Sequence, residues 1–162
     1  MKIVVLAAGT STEREVSIVS GTEVCKALRS RGHQAILVDV FFGKEGADPA
    51  TAFDGDYDVD VEAAYSSSFN AQVKDAVASG REFFGPGVIE LCKAADVVFM
   101  ALHGANGEDG RVQAYFDLCG IPYTGTGYLS SAMAMDKGIT KKIFRTSGVP
   151  TPRGVELKKG KD

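Results

Sequence analysis

The sequence predicts an α/β domain built on a doubly wound parallel sheet, and three observations carry that expectation. Short apolar runs recur at residues 2–8, 35–40 and 97–102 without polar alternation, as suits strands covered on both faces. Segments with apolar residues at helical spacing lie between and beyond them, at 17–31, 88–95 and 111–119. Glycines and polar turns punctuate these segments, which is how strand and helix alternate in a parallel sheet.

Taken in order, residues 2–8 (KIVVLAA) read as a buried strand ending at Gly9. The helix at 17–31 carries Val24, Ala27, Leu28 and Arg31 in register. Ser20 with Glu23 forms a possible capping box, Ser17 is the alternative cap, and Gly32 is the stop. Residues 35–40 (AILVDV) give a second strand, completing a βαβ unit whose crossover should be right-handed. Residues 43–81 then turn acidic (Glu45, Asp48, Asp54, Asp56, Asp58, Asp60, Glu62) and afterwards Ser- and Ala-rich. They read as an insertion or mobile excursion with a helix near 71–78, and the acidic spacing matches no calcium loop. Order returns with a helix at 88–95, a strand at 97–102, a helix at 111–119 and a short strand at 121–124. A longer helix spans 128–147, ended by Gly148, Pro150 and Pro152, and 153–157 read as the start of a further strand.

At 162 residues the chain fits one domain, or one domain and the beginning of a second. A net charge of −3 gives no basic surface for nucleic acid or anionic lipid, and no apolar stretch is long enough for a membrane span. Cys25, Cys92 and Cys119 are odd in number and sit within apolar segments, the usage of buried thiols in a reducing compartment. The cytoplasm is the expected location.

In doubly wound sheets ligands bind beyond the carboxyl ends of the strands. Polar, glycine-containing loops follow the first, third and fourth strands, at 9–14, 103–110 and 125–127, and should gather on one rim. The loop His103-Gly-Ala-Asn-Gly-Glu108-Asp109-Gly110 places groups that bind ligands or move protons among three glycines, before a helix whose free N–H groups suit an anion. Capping of that helix by an acidic turn is the plainer role. Glu13 lies just past the first strand, where a carboxylate can hold an ammonium group or merely complement the next helix. Lys137 and Lys141 share a helix face beside Lys142, either solvated or turned to phosphate. There is no Gly-x-x-x-x-Gly-Lys phosphate loop. Gly125-Thr-Gly127-Tyr-Leu-Ser130 approaches a dinucleotide fingerprint but lacks its third glycine and its distal acid.

Assembled, these pieces resemble the D-alanine–D-alanine ligases of the ATP-grasp superfamily. Residues 103–114 (HGANGEDGRVQA) fit that family's signature at every fixed position, and residues 9–21 (GTSTEREVSIVSG) resemble its opening loop and first helix. Pro122-Tyr123-Thr124-Gly125-Thr126-Gly127, Ala134-Met135-Asp136-Lys137 and Pro150-Thr151-Pro152 resemble its passage into the ATP-grasp module. The resemblance spans everything but residues 44–80. It implies a Rossmann-like, pre-ATP-grasp domain over 1–125, with 44–81 as a variable insertion, and the start of the ATP-grasp central domain over 126–162.

The resemblance also implies ATP-dependent joining of two D-alanines for peptidoglycan, with Mg2+ and basic groups stabilising the charged intermediates. Glu13 would anchor the first D-alanine's ammonium as the catalytic and substrate-binding carboxylate, Val16 would line that pocket, and His103 would lie near the substrate's carboxyl. Lys137 would reach ATP phosphate. Glu108 and Asp109 would shape their loop, and no metal ligand would come from this stretch. Homodimerisation through the amino-terminal domain is a further family trait. Ala8 stands where members often carry glycine, a change expected to cost little. Because members continue well past Asp162, the resemblance implies a truncated polypeptide, inactive alone. A stand-alone, non-catalytic Rossmann-like binding or regulatory module is the alternative.

Overall fold

The computed structural model describes residues 1–157 and 160. Strands β1 (Lys2–Ala7), β2 (Gln34–Asp39) and β3 (Val97–Met100) form a parallel sheet in the order β2-β1-β3. β1 is central, pairing Lys2–Ala7 against Gln34–Asp39 on one side and Ile3–Leu6 against Val97–Met100 on the other. Its unalternating sequence follows from that position. Ile3, Val5 and Ala7 point into one core with Cys25 of helix α1 (Arg14–Ser30), whereas Val4 and Leu6 point into the other. That second core contains Val88, Leu91 and Cys92 of α4 (Val88–Ala94) and Val112 and Phe116 of α5 (Arg111–Cys119). Helices therefore cover both faces, and each fully buried aliphatic side chain contributes roughly 1.5–3 kcal/mol.

The acidic excursion folds back on the sheet edge. It carries α2 (Val59–Ser67), a 3-10 turn at Asn70–Gln72 and α3 (Val73–Ala78). The expected helix near 71–78 corresponds to α3. α2 was not foreseen, because its VDVEAAYSS sequence has little amphipathic contrast. Asp58 caps it by accepting from the amides of Asp60 and Val61. β2 is the edge strand here, and the Tyr57 hydroxyl both accepts from Leu37 N (2.8 Å) and donates to Leu37 O (2.9 Å). Those bonds satisfy backbone groups that an open edge would leave bare. The excursion leaves and returns at one point. Lys44 N donates to Pro86 O (2.9 Å), Gly85 N donates to Val40 O (2.9 Å), and a Cβ on Gly85 would sit 2.6 Å from Gly43 N.

Three expected elements differ. The long helix at 128–147 is two helices, α6 (Tyr128–Met135) and α7 (Lys137–Thr146), broken at Asp136. Asp136 is extended (ψ 98°) and its carboxylate accepts from Ile139 N at 2.9 Å, so a capping residue ends one helix and starts the next. The strand at 121–124 reduces to a single parallel bridge, Val98 to Tyr123. Pro122 has no N–H to extend it. Residues 153–157 form no strand, and Val155 and Leu157 stay exposed.

Cys25 and Cys92 are sealed in the two cores, where burial pushes their thiols up to about 11 and about 12. Both therefore remain protonated and unreactive at mildly alkaline pH. An aromatic disulfide reagent at about pH 8 should modify only the half-buried Cys119 in the native chain, and all three thiols after unfolding. Rapid native modification of Cys25 or Cys92 would contradict this packing.

Candidate functional site

The β1-to-β2 crossover runs through α1 on one face, and the chain then reaches β3 on the other side of β1 through α4. The carboxyl ends of β1 and β3 thus adjoin where the winding reverses, the position at which such sheets bind ligands. The loops carrying Glu13 and His103 leave from these two ends. The first turns at once: Ala8 has φ +69° and Gly9 φ +88°. Ala8 is therefore costlier than the sequence suggested, since the left-handed region penalises a β-carbon by roughly 1–2 kcal/mol.

Three serine hydroxyls hold the second loop against the first. Ser17 is fully buried, donating to Ala101 O (2.7 Å) and accepting from Ala8 N (2.8 Å). Ser11 donates to His103 O (2.7 Å) while its oxygen accepts from Glu13 N (3.1 Å). Ser20 Oγ lies 2.9 Å from His103 Nε2. These contacts correct the expected capping. α1 begins earlier, at Arg14, and Ser17 and Ser20 face the 101–103 segment from within the helix. Glu13 occupies the N-cap position without any side-chain capping bond. Its carboxylate instead lies against Gly104, where a Cβ would come within 2.9 Å of Glu13 Oε2 and 3.0 Å of Ser11 Cβ. Only glycine fits there without displacing the carboxylate.

The residue after Glu13 is anchored more heavily. Arg14 is buried and forms an ion pair with buried Asp39 at the end of β2. It also donates to Gly9 O (2.9 Å), Ser66 O (2.8 Å) and Asn70 Oδ1 (2.8 Å). Asp39 Oδ1 in turn accepts from Phe41 N (2.9 Å) and Phe42 N (3.1 Å). Neither partner is an exposed salt bridge of marginal value.

In the loop after β3, the acidic pair is engaged internally. Glu108 accepts from Gly104 N (2.7 Å), and Asp109 accepts from Asn106 N (2.9 Å) and pairs with Arg111 (2.8 Å). His103, Gly107 and Glu108 line a cleft of about 790 Å³ with Thr124, Thr126, Ser131, Met135 and Lys137. The loops after β3 and after the Tyr123 bridge therefore share one opening. Glu13 and Val16 are not on its wall. Both are exposed beside it on the α1 side, and Val16 is 58% exposed. Lys137 also borders a second, cationic cleft of about 400 Å³ with Lys141, Lys142 and Arg145. Among the described residues, no group of three or more His, Cys, Asp or Glu side chains gathers to hold a metal.

A family profile described as D-ala D-ala ligase N-terminus matches residues 2–126. The chain belongs to this ligase family. The D-alanine–D-alanine ligase of Lacticaseibacillus casei is 42% identical over 98% of this chain and 46% of its own length. That of Moorella thermoacetica is 36% identical over 99% of the chain and 40% of its length. Among solved structures, the Bacillus anthracis D-alanine–D-alanine ligase complexed with ATP superposes with a TM-score of 0.65 at 30% identity, covering 100% of this chain and 41% of its own. The chain thus spans less than half the length of these relatives.

Within this ligase amino-terminal domain, the sequence gives no site role to Ser11, Arg14 or Asp39, and it offers Ser17 and Ser20 only as caps. Asp39 left a signal, a lone carboxylate ending an apolar strand, which must find a partner if buried. The serines left none beyond their ordinary capping preference. Among the described residues, no helix is long and apolar enough to cross a bilayer.

Proposed function

We propose that this chain supplies the first-substrate half of an ATP-dependent ligase that joins two D-alanines. The observation that supports the reading is the Ser11 hydroxyl, which hydrogen-bonds the backbones of both Glu13 and His103 and so ties together the two loops that carry the carboxylate and the imidazole. On this reading Glu13 receives the ammonium of the first D-alanine through charge-assisted hydrogen bonds. Val16, one turn along α1 and exposed, gives the apolar wall for its methyl group. His103 bounds the same zwitterion from the β3 side. Lys137, at the junction of the two clefts, faces ATP phosphate, and the basic wall of α7 suits a polyphosphate. Magnesium, which the family reading implies, finds no cluster of ligands among the described residues.

Residues 1–125 then form the substrate domain, with 44–81 as its insertion, and 126–162 begin the ATP-grasp central domain. A cytoplasmic homodimer joined through the amino-terminal domain is part of the same proposal. The test is a chimaera in which residues 2–126 replace the matching stretch of the Lacticaseibacillus casei ligase. It should form the dipeptide within about tenfold of the parent rate, a barrier change of about 1.4 kcal/mol. A folded chimaera that binds ATP yet makes no D-alanyl-D-alanine would refute the proposal.

A further inference from the structure

We propose that Ser20 is a positioning residue that holds neutral His103 as its Nε2–H tautomer, leaving Nδ1 as a hydrogen-bond acceptor for the ligand. The assignment follows from counting protons. Ser20 sits in the second turn of α1 and its hydroxyl carries one hydrogen. Its oxygen lies 2.8 Å from Val16 O and 3.3 Å from Ser17 O, the usual geometry of a helical serine bonding back to the preceding turn. With that hydrogen on Val16 O, Ser20 Oγ can only accept from His103 Nε2, 2.9 Å away. Nε2 therefore bears the ring's hydrogen, and a neutral imidazole has no second one.

The ring cannot easily escape this bond. Its own carbonyl accepts from Ser11, and Ala101 O, two residues earlier, accepts from Ser17. Both ends of the segment are thereby fixed to the start of α1. Among the described residues, the hydroxyl of Ser20 is the one side-chain hydrogen-bond partner of the imidazole, which leaves Nδ1 without one, and His103 borders the 790 Å³ cleft.

The consequence rests on His103 belonging to the first-substrate site. A neutral Nδ1 accepts from an ammonium N–H, whereas bonding a carboxylate requires the imidazolium form. An Nε2–H imidazole therefore offers an amino group an acceptor in addition to the Glu13 carboxylate. This differs from the carboxyl contact that the family resemblance implied.

The tautomer is directly readable by long-range proton–nitrogen correlation on the nitrogen-15-labelled chain, at a pH where the ring is neutral. His33 is the only other histidine, which makes assignment simple and gives an internal reference. The expected wild-type pattern has a protonated Nε2 and an unprotonated Nδ1 on His103. Ser20→Ala should return His103 toward the mixed pattern of an untethered imidazole, with His33 and the amide spectrum unchanged, and Ser20→Thr should retain the wild-type pattern. A protonated Nδ1 in the wild type, or an unaltered His103 pattern in Ser20→Ala, overturns the proposal. D-alanine added to the wild type should shift the Nδ1 signal. If the tautomer holds while D-alanine leaves that signal unmoved, the substrate reading fails and the role of Ser20 stands.

Discussion

Asp39→Ala is expected to remove about 3–5 kcal/mol of stability, lowering the thermal midpoint by on the order of 10 °C. The substitution leaves the Arg14 guanidinium buried without its counter-charge, and it strips the acceptor from the Phe41 and Phe42 amides. An uncompensated buried charge is far costlier than a lost surface pair, because water cannot reach it to replace the carboxylate. Asp39→Asn keeps the shape and one acceptor oxygen, so its loss should fall between the wild type and the alanine variant. Urea and thermal melts followed by circular dichroism measure both. A loss below about 1 kcal/mol for Asp39→Ala would show that Arg14 reaches solvent and behaves as an ordinary surface cation.

The second large effect is functional. In a ligase carrying this chain, Glu13→Gln should lower kcat/KM for the first D-alanine about 100-fold, a loss of about 3 kcal/mol. The amide keeps the volume and one acceptor oxygen but removes the charge that would face the ammonium. Stability should be unchanged, because the Glu13 side chain is exposed and caps no helix. The decline should fall mainly on KM, since the proposed contact holds the substrate before and during the reaction. Steady-state constants equal to wild type would remove Glu13 from the site.

Much of the frame was legible because it depends on local sequence. β1 and β2 read correctly from their apolar runs, which only a two-sided core can bury. α5 was found to the residue, since its apolar stripe and following Gly120 agree. The break at Asp136 was missed because its neighbours keep helical spacing on both sides, and one capping hydrogen bond decides between bend and continuation. At the site, the loops could be read but not what ties them together. Ser11 meets His103 across 92 residues, and Arg14 meets Asn70 across 56, pairings that only the folded chain brings about. Helical serines near an amino terminus normally cap, so their use as struts between strand ends lay outside any local pattern.

The pinch between Gly43 and Gly85 makes the acidic excursion topologically removable. Because both of its ends meet at one point, its contour length is decoupled from the span of the sheet. Doubling such a loop costs only about 0.6 kcal/mol of closure entropy. Members of a lineage can thus lengthen, shorten or exchange this segment while the rim at the carboxyl ends of β1 and β3 stays put. Its tethers limit that freedom: any replacement must still cover the backbone of Leu37 as Tyr57 does, and offer acceptors where Ser66 O and Asn70 Oδ1 meet Arg14. A graft lacking them would unfasten the residue next to Glu13, so that under the proposed role of Glu13 drift in this appendage would become a dial on substrate affinity.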